Sequence, residues 1–385
     1  MPTRPHPSRP RRAIALAGAV LLVMLAAFTI VPPYAMAMLP ITVGATELSP
    51  LVALAALLWL PVGLLLLRGD RRWQAIVGVA LLVAAGVSLL PLARYSAVAS
   101  SVAAQLGGTP SVFSPGALLR GEPNAHNIAE RDIAYTAGDG SPLSMRLYRA
   151  AAPGSRPTVV VIYGGAWRGG DPSQGERSSR ALAARGFTVA AVDYRHAPRF
   201  PFPAQVEDVR RSLALLHDSS AAWMIDTVRI ALLGRSAGGH LAELAAFTPG
   251  GAPVRAVVAI YAPFDLVQGY VDRPSPDPLD VRAVLRDFLS GTPTEQPVRY
   301  RDASPSSHVR PGLPPVLLLY GARDHAVKAS FNRGAARALR AAGVRVVQVE
   351  LPWAEHGFDL APGGLGAQLT DDVVARFLEA QLMGR

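Results

Sequence analysis

The spacing of apolar positions divides the chain in two. Residues 13–31, 48–67 and 73–92 are three runs without a single Asp, Glu, Lys, Arg or His. Helices of that length cross roughly 30 Å of hydrocarbon. Further along, the apolar runs shorten and become β-branched, at 158–163, 187–192, 228–233, 254–260, 315–320 and 344–350. Stretches with helical spacing fall around them, at 178–185, 204–217, 237–247, 330–342 and 368–382. Strands alternating with helices predict an α/β fold with a mostly parallel sheet and helices on both faces. Residues 131–136 and 143–148 flank Gly138-Asp139-Gly140, which predicts a leading antiparallel hairpin.

The first run competes with a signal-peptide reading: a basic start, an apolar core and small residues at Ala35-Met36-Ala37. A secreted protein beginning with two further hydrophobic helices makes little sense, so three transmembrane helices are expected. Pro50, Pro61 and Pro91 do not exclude them, because neighbouring helices satisfy the freed carbonyls. Arg4, Arg9, Arg11 and Arg12 precede the first run, and Arg68, Arg71 and Arg72 lie between the second and third. The 32–47 loop has no basic residue. The positive-inside rule then places everything after Arg94 outside the cytoplasm. A transport path usually carries ionisable groups within the spans, so their absence favours an anchor.

The domains expected are a basic tail with a three-helix membrane anchor (1–95), a Ser-, Ala-, Gly- and Pro-rich linker (96–120) and an α/β catalytic domain (121–385). Residues 263–312 interrupt the sheet pattern with proline and charge, the place for a lid or cap.

Composition adds three limits. The chain has no cysteine, which excludes disulfides and thiolate metal sites. The charged fraction of 17% is low because the first 95 residues hold so little charge. The net charge of +10 comes from scattered arginines, with Lys328 the only lysine, so no nucleic-acid surface is expected.

The candidate chemistry centres on Gly234-Arg235-Ser236-Ala237-Gly238, between the 228–233 strand and the 237–247 helix. Glycines flanking a serine at a strand-to-helix turn form a nucleophile elbow, which pushes the hydroxyl above the sheet. In a parallel sheet, active groups sit past the carboxyl ends of strands. Asp324 follows the 315–320 strand through Gly321-Ala322-Arg323, and His356 follows the 344–350 strand. Serine needs an adjacent base, the role for His356; Asp324 would hold the imidazole tautomer. Plainer readings exist: Ser236 as a small turn residue, Asp324 as a helix cap. Among the other histidines, His240 is expected to point away from the elbow and His325 to diverge from Asp324. His126, His196, His217 and His308 follow no strand end that reaches the centre. Tyr163-Gly164-Gly165-Ala166-Trp167, past the 158–163 strand, offers small residues for an oxyanion loop.

Four segments together resemble one family: Tyr163 to Trp167; Asp193-Tyr-Arg-His-Ala-Pro198 with Phe202-Pro-Ala204 and Asp208; Gly234 to Gly239; and Gly321 to Asp324 with His356-Gly-Phe358. This is similar to the hormone-sensitive-lipase-like and feruloyl-esterase-like (BD-FAE) carboxylesterases of the α/β-hydrolase fold, over roughly residues 128–382. The resemblance implies a Ser236–His356–Asp324 triad, oxyanion donors at Gly165, Ala166 and Ala237, a small-molecule or lipid-like ester substrate, and no cofactor or metal. Tyr163 stands where that family usually has histidine, and Ala166 where it has a third glycine, which bears on the acyl pocket or the loop's anchoring. An amidase or N-formyl hydrolase would use the same triad, and a non-catalytic binding module the same fold.

Overall fold

The computed structural model describes residues 9–120, 127–151, 154–250 and 253–384. Residues 1–8 of the basic tail and the 121–126 segment, with His126 and the expected start of the catalytic domain, lie outside the described residues.

The β-branched runs assemble into one eight-stranded sheet. Its strands are β1 (Ile128–Thr136), β2 (Pro142–Ala150), β3 (Arg156–Ile162), β4 (Thr188–Val192), β5 (Ile225–Arg235), β6 (Ala256–Ile260), β7 (Val316–Gly321) and β8 (Val346–Leu351). The order is β1-β2-β4-β3-β5-β6-β7-β8. The β1–β2 and β2–β4 pairs are antiparallel and all others parallel. β3, β4 and β6 are buried almost end to end, as expected for strands covered on both faces.

The chain moves outward from β3 to β4, then returns to the other side of β3 with β5. That reversal opens a crevice beyond the ends of β3 and β5. The register pairs Ile162 with Gly234, so Gly164 and Ser236, two residues past each, face one another.

Fourteen helices accompany the sheet among the described residues. The first group comprises α1 (Arg9–Phe28), α2 (Leu39–Glu47), α3 (Ser49–Leu66), α4 (Arg71–Leu106) and α5 (Pro115–Arg120). The second comprises α6 (Glu176–Ala184), α7 (Ala204–Asp218), α8 (Ser220–Trp223), α9 (Ala237–Phe247), α13 (Ala329–Ala341) and α14 (Leu365–Leu382). The insertion between β6 and β7 holds α10 (Leu266–Val271), α11 (Val281–Leu289) and α12 (Pro297–Asp302).

α1, α3 and α4 are long and apolar enough to cross a membrane. They pack through Ala15, Ala19, Ala56, Leu81 and Ala84, while Leu58, Leu65, Val79 and Leu82 face outward. Two differences from the sequence reading concern their ends. α1 begins at Arg9, and Arg12 lies over the Trp73 ring at 4.5 Å, so the helix runs into the expected tail. α4 runs on to Leu106, through the first part of the expected linker. Its Tyr95, Val98, Ala99 and Val102 are buried in the main core, where α4 meets β8 and α14. That burial fixes as helix a stretch whose composition alone reads as a linker.

α2 joins the helix trio to the α/β unit. Its Glu47 is buried, accepts from the Gly366 N–H on α14, and lies near Asp359. Burial pushes the Glu47 carboxyl up to about 8, against the Gly366 bond and with the Asp359 charge adding. A pKa above the ordinary 4.5 means the packed state holds a proton that the unpacked state releases. The contact is therefore strongest below pH 4.5 and weakens as pH rises toward 8. Glu47→Gln should raise the thermal midpoint of the detergent-solubilised chain by several degrees at pH 9, and hardly at all at pH 4.

Candidate active site

Ser236 caps α9 with φ +52° and ψ −121°, a strained conformation for a residue with a Cβ. The neighbouring glycines make the turn possible. A Cβ on Gly234 would lie 2.1 Å from the Gly238 carbonyl oxygen; one on Gly238 would lie 2.2 Å from that of Ile162. The serine N–H donates to the Ile260 carbonyl at 2.9 Å, tying the elbow to β6.

The structure brings all three predicted groups together. His356 Nε2 lies 2.9 Å from Ser236 Oγ, and His356 Nδ1 lies 2.8 Å from Asp324 Oδ2. The other Asp324 oxygen accepts from the N–H groups of Ala326 at 2.8 Å and Val327 at 2.7 Å. Asp324 is thus buried and fixed, while Ser236 and His356 stay half-buried within reach of a substrate. Burial pulls the imidazolium down. The charge and hydrogen bond of Asp324, helped by Glu355 and Asp359, outweigh it and leave His356 above its ordinary value.

Gly165, Ala166 and Ala237 gather around the serine, since Gly165 and Ala166 line one cavity with Ser236, and Ala166 and Ala237 line another. No protein group accepts from their three N–H groups among the described residues. Ala237 also opens an α9 of 11 residues, whose N-terminus favours negative charge. Ala166 takes φ +54° and Trp167 φ +57°. For alanine that left-handed conformation costs on the order of 1 kcal/mol, which packing must offset. Trp167 supplies it, stacked on Phe288 of α11 at 4.2 Å, and Arg168 pairs with Asp287 at 2.7 Å.

Tyr163 serves the loop's anchoring and does not line the cavities. Its hydroxyl is 2.6 Å from Asp193 Oδ1 and 2.9 Å from His196 Nε2, and its ring stacks on Tyr194 at 4.4 Å. His196 therefore braces the loop that follows β3 from behind. His240 is buried with Nε2 2.7 Å from the Ala303 carbonyl oxygen, and burial lowers its pKa to about 4. His325 turns from the site to Glu355, at 2.5 Å.

Sequence reasoning missed the groups beneath the triad. Arg235 Nε and Asp359 Oδ2 are 2.5 Å apart and buried, and the Tyr261 hydroxyl donates to the other Asp359 oxygen at 2.6 Å. The Tyr261 ring lies 4.5 Å from that of His356. Glu355 accepts from the N–H groups of both His325 and His356, joining the loops after β7 and β8. Arg235 inside the elbow and Asp359 three residues past His356 were the available signals. A charge in each motif, otherwise small or apolar, implies a buried partner.

The sheet order and the elbow define the α/β-hydrolase fold. Solved structures agree. A bacterial heroin esterase matches with a TM-score of 0.59 and 26% identity, over 69% of this chain and 88% of its own. A Pyrobaculum calidifontis esterase also reaches 0.59, at 24% identity over 76% and 92%. The BD-FAE family model matches residues 145–333, which include the elbow and Asp324 but stop short of His356. Among curated relatives, esterase LipC of Mycobacterium tuberculosis is 34% identical over 257 residues, 61% of each chain. The probable carboxylic ester hydrolase LipM of the same organism is 33% identical over 238 residues, 58% of this chain and 54% of its own. The chain thus spans little more than half the length of these relatives.

Proposed function

We propose that this protein is a membrane-anchored carboxylic ester hydrolase working through Ser236, His356 and Asp324. The observation that carries the reading is the unbroken hydrogen-bonded series from Asp324 through His356 to Ser236, beside three unpaired amides.

His356 Nε2 takes the proton of Ser236 Oγ as that oxygen bonds to the ester carbonyl carbon. The carbonyl oxygen becomes an oxyanion held by the N–H groups of Gly165, Ala166 and Ala237. The ester C–O bond then breaks, and the leaving alkoxide receives the proton from His356. Water repeats the sequence on the acyl-enzyme, its proton passing to His356 and back to Ser236. Asp324 keeps Nδ1 protonated throughout, so that Nε2 is free to accept.

The anchor is α1, α3 and α4. Support for an extracytoplasmic catalytic unit comes from Arg9, Arg11, Arg12, Arg68, Arg71 and Arg72, which lie at the helix ends remote from α2. The segment that carries α2 packs on the catalytic unit, so both lie at the other end.

The test is a p-nitrophenyl ester series on the full chain in detergent. Turnover should fall at least 1,000-fold in Ser236→Ala, the order expected for loss of a triad nucleophile. Equal rates in the two proteins would refute ester hydrolysis at this site. Faster turnover of aryl formamides than of the esters would reassign the reaction to amides.

A further inference from the structure

The segment between α1 and α3 forms part of the cleft at Ser236. Met36 and Leu39 line it with Ser236, His356, Ala326 and Leu279, around a space of about 340 Å³. All other lining residues come from Gly164 onward. Two side chains from far upstream therefore complete the wall facing the nucleophile.

That segment has the chemistry of a bilayer boundary. Residues 29–46 carry no charge, and they begin directly after Phe28, the last residue of a helix long and apolar enough to be a span. Ile30, Tyr34, Met36 and Ile41 are about half exposed or more, at 59%, 67%, 47% and 48%. Exposed apolar side chains with an aromatic at a span's end are suited to the headgroup level. The Glu47–Gly366 bond holds the segment against the catalytic unit, so its place at the cleft is built in.

A second, narrower cavity of about 40 Å³ starts at the same serine and runs beneath the insertion. Trp167, Leu266, Val284, Leu285 and Phe331 line it. Two apolar arms thus meet at Ser236, one under the insertion and one walled by the membrane-side segment.

Building on the ester-hydrolase reading, we propose that the substrate is an ester whose long hydrocarbon chain stays in the bilayer, and that Met36 and Leu39 guide this chain from the lipid to Ser236. The smaller group of the ester occupies the arm beneath the insertion. Each methylene brought out into water is disfavoured about fourfold, so a continuous apolar path favours a lipid-held chain and does nothing for a short, water-soluble ester.

The experiment uses the full chain in phosphatidylcholine–phosphatidylglycerol vesicles with two substrates. One is p-nitrophenyl butyrate in the water phase; the other is p-nitrophenyl palmitate dissolved in the vesicles. The readout is the ratio of kcat/KM, long over short. Met36→Ser combined with Leu39→Ser makes the wall polar, and Met36→Trp narrows the arm while keeping it apolar. Both variants should lower the ratio about tenfold while a fluorophosphonate still labels Ser236, which shows the site folded. An unchanged ratio in labelled protein overturns the inference and leaves ester hydrolysis standing. If the wild type shows no Ser236-dependent hydrolysis of either ester, the ester-hydrolase reading falls and takes this inference with it.

Discussion

Replacing Asp324 by asparagine is expected to lower kcat for ester hydrolysis about 10,000-fold. The fold should survive, because the turn N–H groups of Ala326 and Val327 need one acceptor, and the asparagine oxygen supplies it. The amide NH2 then faces His356 Nδ1 and turns that nitrogen into an acceptor. The ring proton moves to Nε2, which can no longer take the proton of Ser236. The residual rate also carries a signature in pH. The base must be neutral, so activity rises as pH increases through the pKa of His356, which in the native protein lies above the ordinary 6.5. In the asparagine variant the Asp324 charge and hydrogen bond are gone while burial remains, so the acid limb moves to lower pH. A kcat within tenfold of wild type, or an acid limb that stays in place, would remove Asp324 from the proposed role.

Gly238→Ala should also be damaging, for a steric reason. In a free helix, alanine is preferred over glycine by about 1 kcal/mol. Here the added Cβ would lie 2.2 Å from the Ile162 carbonyl oxygen and 2.3 Å from that of Tyr163, both backbone atoms. Relief requires α9 to back away from the end of β3. That movement separates Ser236 and the Ala237 N–H from Gly165 and Ala166. Overpacking of this kind costs about 1–3 kcal/mol or more, and a shift of about 1 Å at the reacting centre costs about 100-fold in rate. The expected result is a lower melting temperature together with a kcat loss of at least about 100-fold. An alanine variant as active as wild type would show that the elbow does not need this close approach.

The contrast between these positions and the cleft explains what the sequence made legible. The elbow is local: a serine between glycines, with a β-branched run before it and an apolar helix after it, carries its geometry within about a dozen residues. Asp324 and His356 were legible because each follows a run of strand residues, and parallel sheets collect such positions at one edge. The Ile162–Gly234 register that sets the glycine loop after β3 beside the serine depends on strand order, which is non-local. The role of Tyr163 was hidden for a similar reason. Its partners, Asp193 and His196, lie beyond another strand, and only the neighbouring placement of β3 and β4 brings them to its hydroxyl. Arg235 and Asp359 sit 124 positions apart, and each alone resembles an ordinary surface charge. The extension of α4 past the apolar run was masked by its composition, since Ser and Ala suit a linker as well as a helix. Met36 and Leu39 were furthest from view: they belong to a loop between apolar helices and reach the site only through tertiary packing.

The central claim, that Ser236 is a nucleophile activated by His356, is tested most directly by covalent labelling. A fluorophosphonate reacts with an activated serine, and intact mass with peptide mapping locates the adduct. The account predicts one equivalent on Ser236 in the full chain, none in Ser236→Ala, and labelling at least about 100-fold slower in His356→Ala, the scale of general-base assistance. An adduct on another residue, or an unchanged rate in His356→Ala, would contradict it.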